Sequence, residues 1–175
     1  VRAGFRRAPG SGGGVVANPG RAIRAPAGSE VRPTTNGSLN GGTLRTSGDG
    51  VIRLNNGQGA FLTNLPNAGT YIGNDNTITH IAGTITNNGT MTFNSVGNII
   101  DLRFDADTTL AGSGTVFLTH PNARIYGVNS AVRLTIGAMQ TISGRGQVGV
   151  NQGLIHNQGL SHATTPASTL TFAAS

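Results

Sequence analysis

One short phrase recurs three times in this chain: Ile81-Ala82-Gly83-Thr84-Ile85, Leu110-Ala111-Gly112-Ser113-Gly114-Thr115-Val116 and Ile142-Ser143-Gly144-Arg145-Gly146-Gln147-Val148. The starts lie 29 and then 32 residues apart. Irregular self-similarity on that scale belongs to stacked supersecondary units, none of which buries an apolar face alone. The phrase therefore predicts a solenoid.

The rest of the composition fits a thin core. Aromatics are 5% of the chain and Trp is absent, so few large side chains exist to fill a compact globular centre. The 28 glycines, with abundant Asn and Thr, suit short strands joined by tight turns. Cysteine is absent, which excludes disulfides and thiolate metal sites. No apolar run approaches the length of a transmembrane helix. The chain begins at Val1 without a hydrophobic signal core behind it, which is expected of a processed product or a fragment.

Residues 1–34 read as an Arg/Gly/Pro-rich arm or linker, with Val15-Val16 and Ala22-Ile23 as its only candidates for brief strand contacts. Residues 35–175 read as the repeat domain. There, short apolar or alternating runs predict strands such as Val51 to Leu54, Ala60 to Asn64, Thr90 to Asn94, Ile99 to Phe104, Gly114 to Thr119 and Thr169 to Phe172. Turns are expected at Asn36-Gly37, Asn56-Gly57, Asn88-Gly89, Pro121-Asn122, Asn67-Ala68-Gly69 and Asn151-Gln152-Gly153.

A β-sandwich would also show short strands and frequent turns. The recurrent small-residue corner followed by a Thr-apolar run, together with the scarcity of aromatics, favours an all-β, right-handed parallel β-helix with an extended N-terminal arm. In stacked coils like residues sit over like, so Asn forms ladders at turns while Ile, Leu and Val fill a narrow interior. At about 20 to 30 residues per coil and about 4.8 Å between strands, about five to seven coils are expected.

The stretch Ile81 to Asn94 and the stretch Gln140 to Phe172, with its Gly153-Leu154-Ile155-His156-Asn157-Gln158-Gly159-Leu160, resemble repeats of bacterial surface and autotransporter-like β-helical proteins. The resemblance covers about residues 39–172. It implies an exported, extracellular or cell-surface scaffold without enzymatic activity, often adhesive or fibre-forming. The Arg-rich arm has no counterpart in that pattern.

Asp101, Asp105 and Asp107, flanked by Arg103, form the best candidate for a cation or ligand site, since β-helix enzymes on acidic polysaccharides carry carboxylates on one face and carboxylate oxygens suit Ca²⁺. They share a strand face only if the strand continues that far. A carbohydrate-binding or carbohydrate-active β-helix is thus the alternative to a scaffold, and a glycan the alternative partner to self. His80, His120, His156 and His162 show no ligand spacing and read as turn or surface residues. Thr84-Ile85-Thr86 and Thr90-Met91-Thr92 resemble the flat ice-binding faces of other β-solenoids, but the sequence offers no match at Leu110 to Thr119 or Gln147 to Val150. Serine nucleophile elbows, phosphate loops and dinucleotide fingerprints are absent, and no cofactor is expected.

Charge is concentrated at one end. All twelve basic residues are Arg; residues 1–33 hold six of them against Glu30 alone, and the remainder holds six against five Asp. An Arg-rich segment attracts anionic polymers. Nucleic-acid recognition needs aromatic platforms as well, and the arm offers only Phe5, so nucleic acid is not the expected partner. The expected partner is self, or neighbouring repeats of a longer chain, through Arg6, Arg7, Val15 and Val16 at one end and Leu170 and Phe172 at the other. Open solenoid ends expose strand edges and core cross-sections, which favours stacking end to end.

Overall fold

The structure is a computed structural model, and it describes residues 14–164 and 168–173. Every strand pairing in it is parallel, and no described residue is helical. The chain is a β-solenoid of about 7 turns. A β-sandwich, which needs antiparallel neighbours, is thereby excluded.

Three strands make one coil, one for each side of the rod. The first coil is β1 (Val15–Ala17), β2 (Ala22–Ala25) and β3 (Glu30–Val31); the second is β4 (Gly37–Asn40), β5 (Thr43–Thr46) and β6 (Val51–Leu54); the third is β7 (Gly59–Thr63), β8 (Pro66–Ala68) and β9 (Thr70–Asn74). Farther on, strands run round corners. β10 (Ile78–Asn87) and β12 (Ile100–Ala111) each serve the first and second faces, and β11 (Thr90–Asn94) serves the third. β13 (Thr115–Gly127) completes one coil and opens the next; β14 (Arg133–Ile136), β15 (Thr141–Val148), β16 (Leu154–Asn157), β17 (Leu160–His162) and β18 (Leu170–Phe172) finish the stack.

Residues 14–34 therefore belong to the coil stack, although the sequence assigns them to an arm. β1, β2 and β3 pair in register with β4, β5 and β6. Their apolar side chains are few, but Val16, Ile23 and Val31 all turn inward onto the core, and backbone pairing supplies the rest. Arg6 and Arg7 lie outside the described residues.

The three copies of the repeated phrase do not stack on one another. One coil takes between 19 residues (Phe61 to His80) and 26 (Thr115 to Thr141). A spacing of 29 or 32 is thus one coil plus roughly one face, and the copies fall on the first, second and third faces in turn: Ile81 pairs Phe104, Leu110 pairs Ile136 and Ile142 pairs Val116. What they share is a corner. In each, an apolar residue points inward and is followed two positions later by a glycine with positive φ: Gly83 at 70°, Gly112 at 94° and Gly144 at 103°.

The interior is built of columns. On the first face Leu39, Leu62, Ile81 and Phe104 stack inward, and the column meets Gly127 in the next coil. A Cβ on Gly127 would stand 2.8 Å from Phe104 Cε2, and one on Gly153 would also press on that ring. On the third face Phe93 likewise stacks against Gly73, and Leu118 against Gly144. Glycine thus stands in the column where an aromatic or leucine side chain of the neighbouring coil fills the space, which keeps the packing dense.

One polar column is also buried. Asn67 and Asn87 pair in register on the second face, and Asn67 Nδ2 donates to Asn87 Oδ1 at 2.9 Å. The following coil has Gly112 and Gly114 at that corner, and Gln140 of the coil beyond spans the gap, its Oε1 accepting from Asn87 Nδ2 at 3.2 Å. Gln140 Nε2 donates to the backbone carbonyls of Asn87 and Ala111, at 2.6 and 2.9 Å. The Asn67-Ala68-Gly69 stretch expected as a turn is thus an inward amide at the end of a short strand, and Pro121-Asn122 lies within β13.

Outward threonines also form columns. Thr70, Thr90, Thr115 and Thr141 are in register over four consecutive coils on the third face, and Thr84, Thr109 and Thr135 over three on the second. The array absent from the sequence at Leu110 to Thr119 is present in the structure, because the coils and not the repeated phrases set the register. Thr115 is the match to Thr90.

Candidate functional site

The most elaborate outward cluster lies on the first face, where the pleat points every second residue away from the core. Register places Ser38, Phe61, His80, Arg103 and Tyr126 in one outward column, each from a successive coil. The Phe61 and His80 rings stack, with centroids 4.2 Å apart and planes 17° from parallel. The adjacent outward column runs through Ile78, Asp101, Arg124 and Gln147.

Carboxylates fix these planar groups in place. Asp105 Oδ2 lies 2.9 Å from His80 Nδ1, and Asp105 Oδ1 accepts from Arg103 Nε at 2.7 Å. Asp101 receives a two-pronged contact from Arg124, Nε to Oδ1 and a terminal nitrogen to Oδ2, both at 2.8 Å. Tyr126 Oη donates to the same Oδ2 at 3.1 Å, and the Arg124 guanidinium carbon sits 4.9 Å from the Tyr126 ring centroid. Such two-pronged charge-assisted contacts set orientation as well as strength.

Asp107 does not join them. The first-face portion of β12 ends by Phe104, and Asp107 lies past the corner, where its Oδ1 accepts from the backbone N–H of Arg133 at 2.9 Å. The three aspartates expected to act together are thus divided among three jobs. Among the described residues, no group of three His, Cys, Asp or Glu gathers in metal-binding geometry.

His80 is buried, contrary to its expected place on a turn or surface. Burial pushes its pKa below the ordinary 6.5, against the opposing pull of Asp105. Burial also raises Tyr126, and the neighbouring Asp101 adds to that. The sign for stability follows directly. The unfolded chain takes up the His80 proton first, so stability falls as pH drops below about 6.5 and levels off once the folded imidazole also protonates. The expected result is a folded-state imidazole titration for His80 below 6.5 by NMR, and a weaker loss of melting temperature between pH 7 and 5 in His80→Gln than in the parent chain.

Beside the planar column runs a shallow groove of about 370 Å³, lined by Asn36, Gln58, Asn76, Ile78, Ile99 and Asp101. Chemically the face is a rigid plank of rings and guanidinium planes with an amide-lined gutter. Its two aspartates are engaged by arginines, Asp101 by Arg124 and Asp105 by Arg103.

No protein-family model, curated protein or solved structure matches the chain.

Of the residues expected at subunit contacts, Val16, Leu170 and Phe172 point inward at the two ends of the stack, whereas Val15 points outward and is exposed. Phe61, His80, Arg124 and Tyr126 were missed as site residues. The signal that would have found them is the coil spacing, since Arg124 follows Asp101 by 23 residues and Asp105 follows His80 by 25.

Proposed function

We propose that this chain is a structural β-solenoid, a filament subunit or stalk section of an extracellular or bacterial surface assembly of the autotransporter-like kind, whose coils stack end to end on a second copy. The observation carrying this reading is Phe172. By register it continues the inward column Ala60, Thr79, Leu102, Ile125 and Val148, yet it is 45% exposed where those residues are buried. Its column simply has no further layer above it among the described residues. Leu170, also inward by its pairing with Gly146, and Ile155 lie in the same terminal layer.

At the opposite end Val16, Ile23 and Val31 form the inward residues of the first layer among the described residues, all of them only partly buried. An apolar cross-section at one end thus faces an apolar cross-section at the other, and parallel ladders present complementary donors and acceptors on their two edges. Such a contact is heterologous and does not close on itself, so it generates a filament. The carbohydrate alternative draws on Asp101 and Asp105, and their engagement by Arg124 and Arg103 favours the scaffold.

The test uses the two ends separately. Phe172→Asp blocks one end and Val16→Asp the other, so each variant alone is expected to be monomeric by analytical ultracentrifugation. An equal mixture is expected to give dimers, joined through the intact ends, while the parent chain forms long fibres with a repeat near about 4.8 Å along the axis. A parent chain that stays monomeric at high concentration removes the reading.

A further inference from the structure

On the second face of the first two coils, Arg24 and Arg45 occupy paired positions on β2 and β5. Both point outward and are exposed. Their strands are about 5 Å apart, so two like charges project from directly opposed positions and line one cleft, a pairing that is destabilising on its own. Among the described residues neither has a hydrogen-bonded or ion-paired partner.

Nor does the chain hold a free acid to supply one. It has six acidic residues, all described and all engaged. Glu30 takes Arg32 and Arg53; Asp101 takes Arg124; Asp105 takes Arg103. Asp49 accepts the backbone N–H of Gly28, Asp75 those of Val96 and Asn98, and Asp107 that of Arg133. Asp49, four residues from Arg45 in sequence, is fastened to the turn of the preceding coil by its contact with Gly28. The first two coils, residues 14–54, carry five arginines against two acids. Their surplus is left for something outside the molecule.

The two arginines border a cleft of about 230 Å³ whose other lining residues are Ala25, Pro26, Thr46, Ser47 and Ala68. Thr46 and Ser47 add hydroxyl donors, and no aromatic side chain lines it. We infer that this cleft binds the oxyanion groups of an acidic polysaccharide, one carboxylate or sulfate bridging Arg24 and Arg45. Paired guanidinium forks suit planar or tetrahedral oxyanions. The pair is aligned along the rod axis, so a linear polymer lying on the second face meets both arginines. A nucleic acid is the less suitable polyanion, since single-strand binders add stacking platforms that this cleft lacks.

The test measures binding of the full chain, by calorimetry at fixed ionic strength, to polygalacturonate, dextran sulfate, neutral dextran and single-stranded DNA. Arg24→Gln/Arg45→Gln is expected to weaken binding to an acidic polymer about tenfold or more, with neutral dextran not bound. The charge-matched Arg133→Gln/Arg145→Gln pair, on later coils, is expected to weaken it by about twofold at most. Arg24→Lys/Arg45→Lys keeps the charge and loses the fork, and an intermediate loss of about threefold is expected, which preserves the test should the Gln pair fold poorly. Whichever of the carboxylated and sulfated polymers binds more tightly identifies the oxyanion. Equal losses from the two Gln pairs, no binding to either acidic polysaccharide, or tighter binding to DNA through the same arginines would each overturn the inference.

Discussion

Gly144→Ala is expected to destabilise the chain by about 3 kcal/mol, measured as a shift in the urea midpoint. Two costs combine at this corner. The backbone stands at φ 103°, a conformation that L side chains rarely adopt. A Cβ there would also collide with the carbonyl oxygen of Leu118 in the coil below, a backbone atom held by the ladder, with little room to give.

Gly20→Ala separates the two costs. Gly20 has φ 70°, but a Cβ there meets nothing within 4 Å. Its replacement is expected to cost about 1 kcal/mol, the conformational part alone. If Gly144→Ala costs no more than Gly20→Ala, close approach of coils is not what the repeated phrase encodes. If it costs several times more, the phrase marks corners at which one coil rests directly on the backbone of its neighbour.

That corner explains how much of the fold was legible. The apolar-x-Gly phrase announced a solenoid correctly, because a positive-φ glycine after an inward side chain is a local requirement written in three residues. The spacing of the copies misled about register, because corners on different faces obey the same requirement. Strands with strong local character, Val51–Leu54 and Thr90–Asn94, have the bounds expected from their β-branched and apolar runs. β4, with only Leu39 as a large apolar residue, and β8, with Pro66 and an inward Asn67, carry no such run. Those two are strands because of what lies above and below them. In residues 15–31 the brief strand contacts expected at Val15-Val16 and Ala22-Ile23 are present, as β1 and β2, but the segment's place in the coil stack is set by pairing with the second coil.

The candidate site divides along the same line. Asp101, Arg103 and Asp105 are neighbours on one strand, so alternation alone brings them to one face. Their partners come from the coils on either side, at separations that vary with the length of each corner. The aspartates were therefore visible as a cluster, whereas the arginine and tyrosine that turn Asp101 from a ligand into an anchor were not. Local chemistry could be read from the sequence; its neutralisation required the register.

The buried amide column offers the strongest test of that register, because its members are scattered across the sequence. Asn87→Leu keeps the side-chain size and removes every polar contact. Asn67 Nδ2 then loses its 2.9 Å acceptor and keeps only a 3.5 Å contact to the Thr90 carbonyl, and Gln140 Oε1 loses its side-chain donor among the described residues. Both amides are buried, so each group left under-satisfied costs about 1 to 3 kcal/mol, and a total of about 3 to 4 kcal/mol is expected. Asn94→Leu, on an exposed position of β11, is expected to change stability by about 0.5 kcal/mol or less. The decisive measurement is the double variant. Gln140 acts across two coils, 53 residues from Asn87, so in Asn87→Leu/Gln140→Leu the loss is expected to fall short of the sum of the single losses by about 1 kcal/mol or more. Simple additivity would mean that the two amides do not meet, and with that the stacking order of the fourth and sixth coils would be wrong.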